Sequence, residues 1–299
     1  MGTKLAGICM LLVAALAMPQ AQAGQMVHGK VRKAALAESP ADATPAPLNL
    51  RSSAAVVFDE ASGEALYGKN AELVTPIASI TKLMTAMVVL DAGLPLDERI
   101  AITSDDIDIV KGTRSRLHVG ATLTRHDLLL LALMASENRA ASALGRAYPG
   151  GRPAFIARMN AKALEIGMRN TRFMDSTGLT SENVSTAEDL VRLVDAADGY
   201  PLIRELSTTA SAEVDVGRRR PIQFGNSNAL VRSKAWDIEV SKTGYISEAG
   251  RCLVMKATIA SRRVIIVLLD SVGKNSRLGD ANRIRKWMEG ASGARPRLG

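Results

Sequence analysis

Three short fragments hold side chains from which acyl-transfer chemistry could be assembled: Ser79-Ile80-Thr81-Lys82, Ser136-Glu137-Asn138 and Lys242-Thr243-Gly244, spaced by about 55 and then about 105 residues. A serine hydroxyl is a poor nucleophile at neutral pH, so a neighbouring group must take its proton. Thr75-Pro76 followed by helix-favouring residues from Ser79 through Leu90 places Ser79 at a helix N-terminus with Lys82 one turn along. Residues three apart share a helix face, which lets hydroxyl and amine approach each other. The N-terminal amides add positive partial charge beside the nucleophile.

Other chemistries find less support. A Ser-His-Asp hydrolase needs a histidine beside a serine elbow, and no Gly-x-Ser-x-Gly string occurs. His28 falls in a linker, and His118 and His126 read as surface residues. No His-Cys-Asp cluster has metal-ligand spacing, so neither a metal nor a cofactor is expected. Asp105-Asp106-Ile107-Asp108 lacks the glycine and terminal glutamate of a calcium loop and reads as the first turn of a helix capped by Ser104. Cys252, among apolar neighbours, reads as a buried structural thiol.

The elements that must carry the fragments follow from periodicity. Strand-like residues from Ser53, then Ser62-Gly63, then Glu64 to Tyr67 form a β-hairpin. A helix capped by Thr124 leads through the apolar run Leu128 to Met134, and Ser136-Glu137-Asn138 forms a turn between two helices. Further helices are expected at Pro153–Ile166 and Thr186–Ala197, stopped at Gly167-Met168 and Gly199-Tyr200-Pro201. Strands return at Ile238–Lys242, Leu253–Ala260 and Val264–Leu269, with Ser261-Arg262-Arg263 as a turn, and Ala281–Glu289 closes as a helix. Strands at both ends and helices between predict an α/β (α+β) domain: one antiparallel sheet with a helical insertion.

Lys4, the apolar stretch Leu5–Met18 and Ala21-Gln22-Ala23 form a secretory signal, residues 1–23, cleaved before Gly24. The expected compartment is the periplasm, with no transmembrane segment after processing. Cys9 leaves with the signal and Cys252 alone remains, so no internal disulfide forms. Residues 24–50, rich in Ala, Pro and Lys, are a linker. The catalytic domain is expected over 51–290, its helical subdomain at about 92–200, and 291–299 is a short tail. The formal charge of +8 with 3% aromatic residues suits an anionic polymer or membrane surface, and peripheral wall association, better than nucleic acid. Arg218-Arg219-Arg220 reads as a solvated turn before Pro221.

Ala78-Ser79-Ile80-Thr81-Lys82-Leu83-Met84-Thr85, the Ser-x-Asn turn and Lys242-Thr243-Gly244-Tyr245 resemble the signature of the low-molecular-mass penicillin-binding proteins, peptidase family S11. Ser136-Glu137-Asn138-Arg139-Ala140-Ala141 departs from the Ser-Gly-Asn form of the carboxypeptidases and resembles the periplasmic murein DD-endopeptidase branch. The resemblance implies the β-lactamase/DD-peptidase fold, an antiparallel five-stranded sheet flanked by helices. It further implies an acyl-enzyme on Ser79, with Lys82 as base, its pKa lowered by burial and by repulsion from Lys242. Ser136 relays the proton, Asn138 holds a substrate amide, and Lys242 and Thr243 bind the substrate carboxylate. Gly244 lets the strand pass close to the substrate, and the N–H groups of Ser79 and Tyr245 form the oxyanion hole. The implied substrate is the cross-linked stem peptide of peptidoglycan, and β-lactams are covalent inhibitors. A D-alanyl-D-alanine carboxypeptidase is the nearest alternative; a serine β-lactamase and a non-enzymatic β-lactam sensor are further ones. The absence of a C-terminal anchor in the sequence favours the endopeptidase.

Overall fold

The computed structural model describes residues 48–217 and 220–293; the expected signal peptide, nearly all of the linker, Arg218-Arg219 and most of the tail lie outside them. The predicted hairpin is β1 (Ser52–Asp59) and β2 (Glu64–Lys69). The chain then crosses a short strand β3 (Thr75–Pro76) into α1 (Thr81–Asp91). Strands β4 (Arg99–Ala101) and β5 (Thr122–Thr124) pair antiparallel and lead into α2 (Arg125–Leu133), α3 (Asn138–Arg146) and α4 (Gly151–Glu165). Strand β6 (Val184–Ser185) pairs with β3. Helices α5 (Ala187–Asp198) and α6 (Pro201–Thr208) and the hairpin β7 (Ser211–Val214) and β8 (Ile222–Gly225) follow. The chain ends in β9 (Asp237–Ile246), β10 (Gly250–Ile259), β11 (Arg262–Ser271) and α7 (Ser276–Gly293).

Five strands form one antiparallel sheet in the order β2-β1-β11-β10-β9. The near-continuous apolar runs of β10 and β11 have a physical reason, since both faces of these strands are buried. On one face Ala54, Val56, Val254, Ile265 and Val267 join the core of α1, α2 and α5. On the other, Val57, Met255, Val264, Ile266 and Leu268 meet Ala281, Ile284 and Met288 of α7. The side-chain period of two thus sorts one apolar run onto two cores. Buried Asp280 pins α7 to β1 by accepting from Arg51 N (3.0 Å), Ser52 N (2.8 Å) and Ser52 Oγ (2.6 Å).

Three sequence expectations change. The β10–β11 turn consists of Ala260 and Ser261, at φ 50° and 62°, while Arg262 and Arg263 already pair with Ile259 and Thr258. Two left-handed residues suffice for the tight turn that matches strand twist, and Arg262 is drawn onto the sheet by its bond to Asp59 Oδ2 at 2.8 Å. Asp105-Asp106 belongs to a single 3₁₀ turn, Ser104–Asp106, capped by Thr103 rather than Ser104. Asp106 there accepts from Thr103 N at 2.9 Å, which closes a capping box at the start of the turn, and from Arg146 at 2.8 Å, which ties the turn to α3. Pro201, expected only to stop α5, also opens α6 at its first turn, where its missing N–H costs nothing. Among the described residues no helix is long and apolar enough to cross a membrane.

Candidate active site

A 3₁₀ turn, Ala78–Ile80, delivers Ser79 to the start of α1, whose Thr81–Val89 segment is entirely buried. Ala78 sits at φ 47°, a left-handed conformation. It is held there in part by Thr81 Oγ1, which donates to Ala78 O at 2.8 Å. One turn on, the Lys82 amine lies 2.7 Å from Ser79 Oγ, 2.8 Å from Asn138 Oδ1 and 2.6 Å from Thr177 O. The side chain is fully buried, and burial pushes its pKa down to about 7 against the opposing pull of Asp175 and Glu137. A neutral amine has two N–H groups and one lone pair. In that neutral form, giving both N–H groups to the two carbonyl oxygens leaves the lone pair for the Ser79 hydroxyl.

Ser136 lies on the expected turn between α2 and α3, at φ 60°. A non-glycine residue in this region is strained and is often found where a side chain must be aimed. Its Oγ accepts from Lys242 Nζ at 2.9 Å, and Lys242 also donates to Thr243 O at 2.9 Å. Lys242 is buried on β9, an edge strand of the sheet, and is held well below the ordinary lysine value by burial, then by the charges of Lys82 and Arg277. The like-charge repulsion expected at Lys82 is thus expressed at Lys242. Thr243 Oγ1 donates to Ser227 Oγ at 2.8 Å. The Tyr245 ring is exposed, with the Arg251 guanidinium 4.6 Å above it.

Two of the expected site residues make further contacts within the protein. A Cβ on Gly244 would stand 3.0 Å from Ile77 O and 3.2 Å from Ser79 N, so this glycine also permits a close approach to the serine segment. Asn138, expected to hold a substrate amide, also spans the site, with its Oδ1 accepting from Lys82 Nζ at 2.8 Å and its Nδ2 donating to Thr113 Oγ1 at 3.0 Å. Glu137 is buried and accepts from Ser115 Oγ at 2.7 Å.

The segment 174–183 was not read from sequence as part of the site. Asp175 Oδ1 accepts from Thr177 N (2.8 Å) and Gly178 N (2.6 Å) and folds this loop so that Thr177 O meets Lys82. Asn183 locks it from behind, Oδ1 accepting from Met174 N (2.7 Å) and Nδ2 donating to Thr81 Oγ1 (3.0 Å). Gly178, at φ 80°, leaves no room for a side chain, because a Cβ would fall 2.0 Å from Ala78 O. The dense Asp-Ser-Thr-Gly and Asn content was the available signal, since these residues fold loops through their own side chains. Arg277 of α7 was also missed; it donates to Gly244 O at 3.0 Å and adds positive charge beside the Lys-Thr-Gly strand. His118 and His126 are half-buried and take no part in this cluster, and Cys252 is buried with its thiol pushed up to about 11 by burial. Among the described residues no group of His, Cys, Asp and Glu could hold a metal.

A serine at a helix start, a depressed lysine beside it, a Ser-x-Asn turn and a Lys-Thr-Gly edge strand on this sheet define a serine acyl-transfer enzyme of the DD-peptidase fold. The chain belongs to the D-alanyl-D-alanine carboxypeptidase family, peptidase S11, whose model matches residues 40–273. It is 49% identical over 260 residues to a D-alanyl-D-alanine endopeptidase of Pseudomonas aeruginosa, covering 85% of this chain and 83% of that one. A D-alanyl-D-alanine endopeptidase of Escherichia coli is 45% identical over 256 residues with the same coverage. Among solved structures, penicillin-binding protein D2 of Listeria monocytogenes in its cefotaxime-bound form superposes with a TM-score of 0.70 at 32% identity, over 82% of this chain and 98% of that one.

Proposed function

We propose that this protein is a serine DD-endopeptidase that hydrolyses D-alanyl–diaminopimelyl cross-links of peptidoglycan through an acyl-enzyme on Ser79. The observation that carries this reading is the buried Lys82 amine, 2.7 Å from Ser79 Oγ and held by two carbonyl oxygens. Lys82 takes the Ser79 proton as Oγ attacks the D-alanyl carbonyl carbon. The N–H groups of Ser79 and Tyr245 stabilise the oxyanion, in keeping with the close packing of β9 on the serine turn at Gly244. Ser136, bonded to Lys242, relays a proton to the leaving amine as the C–N bond breaks. Water then attacks the ester and returns the proton to Ser79. Asn138 positions Lys82 as well as the substrate, while Lys242, Thr243 and Arg277 supply the positive field for a substrate carboxylate. β-Lactams acylate the same serine, a reading supported by the cefotaxime-bound relative.

The choice of cross-link over terminal D-alanine is supported by relatives at 49%, 45% and 41% identity, each named a D-alanyl-D-alanine endopeptidase. The same reading assigns residues 1–23 to a signal peptide, 24–50 to a linker, 51–290 to the catalytic domain with its helical part near 92–200, and 291–299 to a tail, with the enzyme in the periplasm. Purified cross-linked muropeptide dimers test the substrate: monomers mark an endopeptidase, and free D-alanine with intact dimers marks a carboxypeptidase. Turnover by Ser79→Ala would refute the mechanism.

A further inference from the structure

The loop from Ile107 to Thr113 borders the site, and the mechanism above makes no use of it. Asp108 organises the loop. Its Oδ1 accepts from Val110 N and Lys111 N, both at 2.9 Å, and its Oδ2 from Thr113 N at 2.9 Å and Thr113 Oγ1 at 2.6 Å. Thr113 Oγ1 in turn accepts from Asn138 Nδ2 at 3.0 Å, and Asn138 Oδ1 accepts from Lys82 Nζ at 2.8 Å. An unbroken line of hydrogen bonds therefore joins Asp108 to the amine beside Ser79.

The oxygen and nitrogen of an amide are nearly the same size, so shape does not decide which end of Asn138 meets Lys82. The far end of the line does. Desolvation pushes the Asp108 carboxyl up, but the Thr113 hydroxyl and the N–H groups of Lys111, Thr113 and Val110 outweigh it and hold it below its ordinary value. A carboxylate only accepts. The Thr113 hydroxyl must therefore give its single proton to Asp108, which leaves only lone pairs for Asn138. Asn138 then turns its N–H toward Thr113 and its carbonyl oxygen toward Lys82. A reversed amide would point an N–H at Lys82 and claim the lone pair that Ser79 needs.

We propose that Asp108 and Thr113 are positioning residues for the Ser79 reaction: they orient the Asn138 amide so that the lone pair of the Lys82 amine is left for the Ser79 hydroxyl. The proposal rests on Lys82 acting as the base for Ser79. The other charged groups around Lys82, namely Glu137, Asp175 and Lys242, are on other segments and are untouched by changes at 108 or 113. The loop is separately tied to the β9–β10 turn by the Lys111–Glu248 ion pair, which provides a control for loop anchoring alone.

The test is the rate of acylation by a fluorescent penicillin between pH 5 and 9, with thermal unfolding as the check on folding. Asp108→Asn keeps the shape but puts an N–H where only an acceptor stood. Its rate should fall about 10- to 100-fold, a part of the roughly 10²–10⁴-fold a positioned base supplies. The midpoint of its pH profile should stay in place or move to lower pH, because an N–H facing Lys82 disfavours the ammonium form. Thr113→Val should lose a similar factor, and Thr113→Ser should recover most of it. Lys111→Ala should remain within about two-fold, as befits an exposed ion pair. The proposal is overturned if Asp108→Asn and Thr113→Val both acylate at the wild-type rate. It is equally overturned if their midpoints move to higher pH, which marks water entering the pocket, or if Lys111→Ala falls as far as Asp108→Asn. Lys82→Ala separates the two levels. Near-normal acylation by that variant would sink the base assignment, whereas an inert Lys82→Ala with a normal Asp108→Asn would sink only the orienting role.

Discussion

Replacing Lys82 by methionine should abolish acylation and carry a stability cost that shrinks as pH falls toward neutral. In the unfolded chain the amine takes up a proton as pH falls through 10.5, but in the buried site it stays neutral down to about 7. Between those values the unfolded state binds one more proton, so the folded state loses stability as pH falls, and the loss is complete below about 7. Moving the group that far is worth about 5 kcal/mol at about 1.4 kcal/mol per pH unit. Methionine removes this cost but leaves Asn138 Oδ1, Thr177 O and Ser79 Oγ without their amine partner, a penalty of about 1–3 kcal/mol per group that does not depend on pH. The deficit of the methionine variant should therefore be largest at pH 10 and shrink by about 4–5 kcal/mol as pH falls to 7. Urea unfolding of both proteins at pH 7, 8, 9 and 10 measures the difference. A difference that is flat with pH, or that worsens for methionine as pH falls, would refute the buried neutral amine.

Gly178→Ala places a Cβ 2.0 Å from Ala78 O at φ 80°, and overpacking with backbone strain should cost about 3 kcal/mol or more. Because the Ala78–Ser79 backbone must move to admit it, penicillin acylation should fall along with the unfolding temperature. Asp280→Ala frees the N–H groups of Arg51 and Ser52 and the Ser52 hydroxyl and should cost about 3 kcal/mol, read by denaturant unfolding. Burial raises the Asp280 carboxyl, but hydrogen bonds led by Ser52 outweigh it and hold it below its ordinary value. The stability it contributes is present above the ordinary carboxyl range and fades as pH falls, so the deficit of the variant should shrink in acid. Cys252, buried and with its thiol pushed up to about 11, should resist iodoacetamide at pH 8 in the folded protein and react once guanidinium unfolds it; labelling of the native protein would contradict the burial.

Much of the scaffold was legible in the chain. The β1–β2 hairpin, the Thr124 cap of α2, which accepts from Asp127 N, and the turn that carries Ser136 all follow from local signals. Such signals act within a few residues, through backbone conformations and side chains that satisfy nearby amides. The misplacements were local conflicts decided at a distance. Arg262 is taken into β11 by Asp59 of β1, and Asp106 is held by arginines of α3 and α4, both remote in sequence.

The sequence by itself determined which groups are present and two short-range placements: Ser79 opening a helix with Lys82 one turn on, and Ser136 on a turn. These depend on helix geometry and turn chemistry alone. Only the tertiary structure decided what state those groups are in. The partners of Lys82 come from 56 and 95 residues away, and its pKa depends on removal from water by segments that meet only when the sheet and helices pack. The role of Gly244, packed on Ser79, and of the 174–183 loop behind Lys82 depends on the same packing. Desolvation is a property of the whole surrounding volume, and no spacing of residues along a chain encodes it.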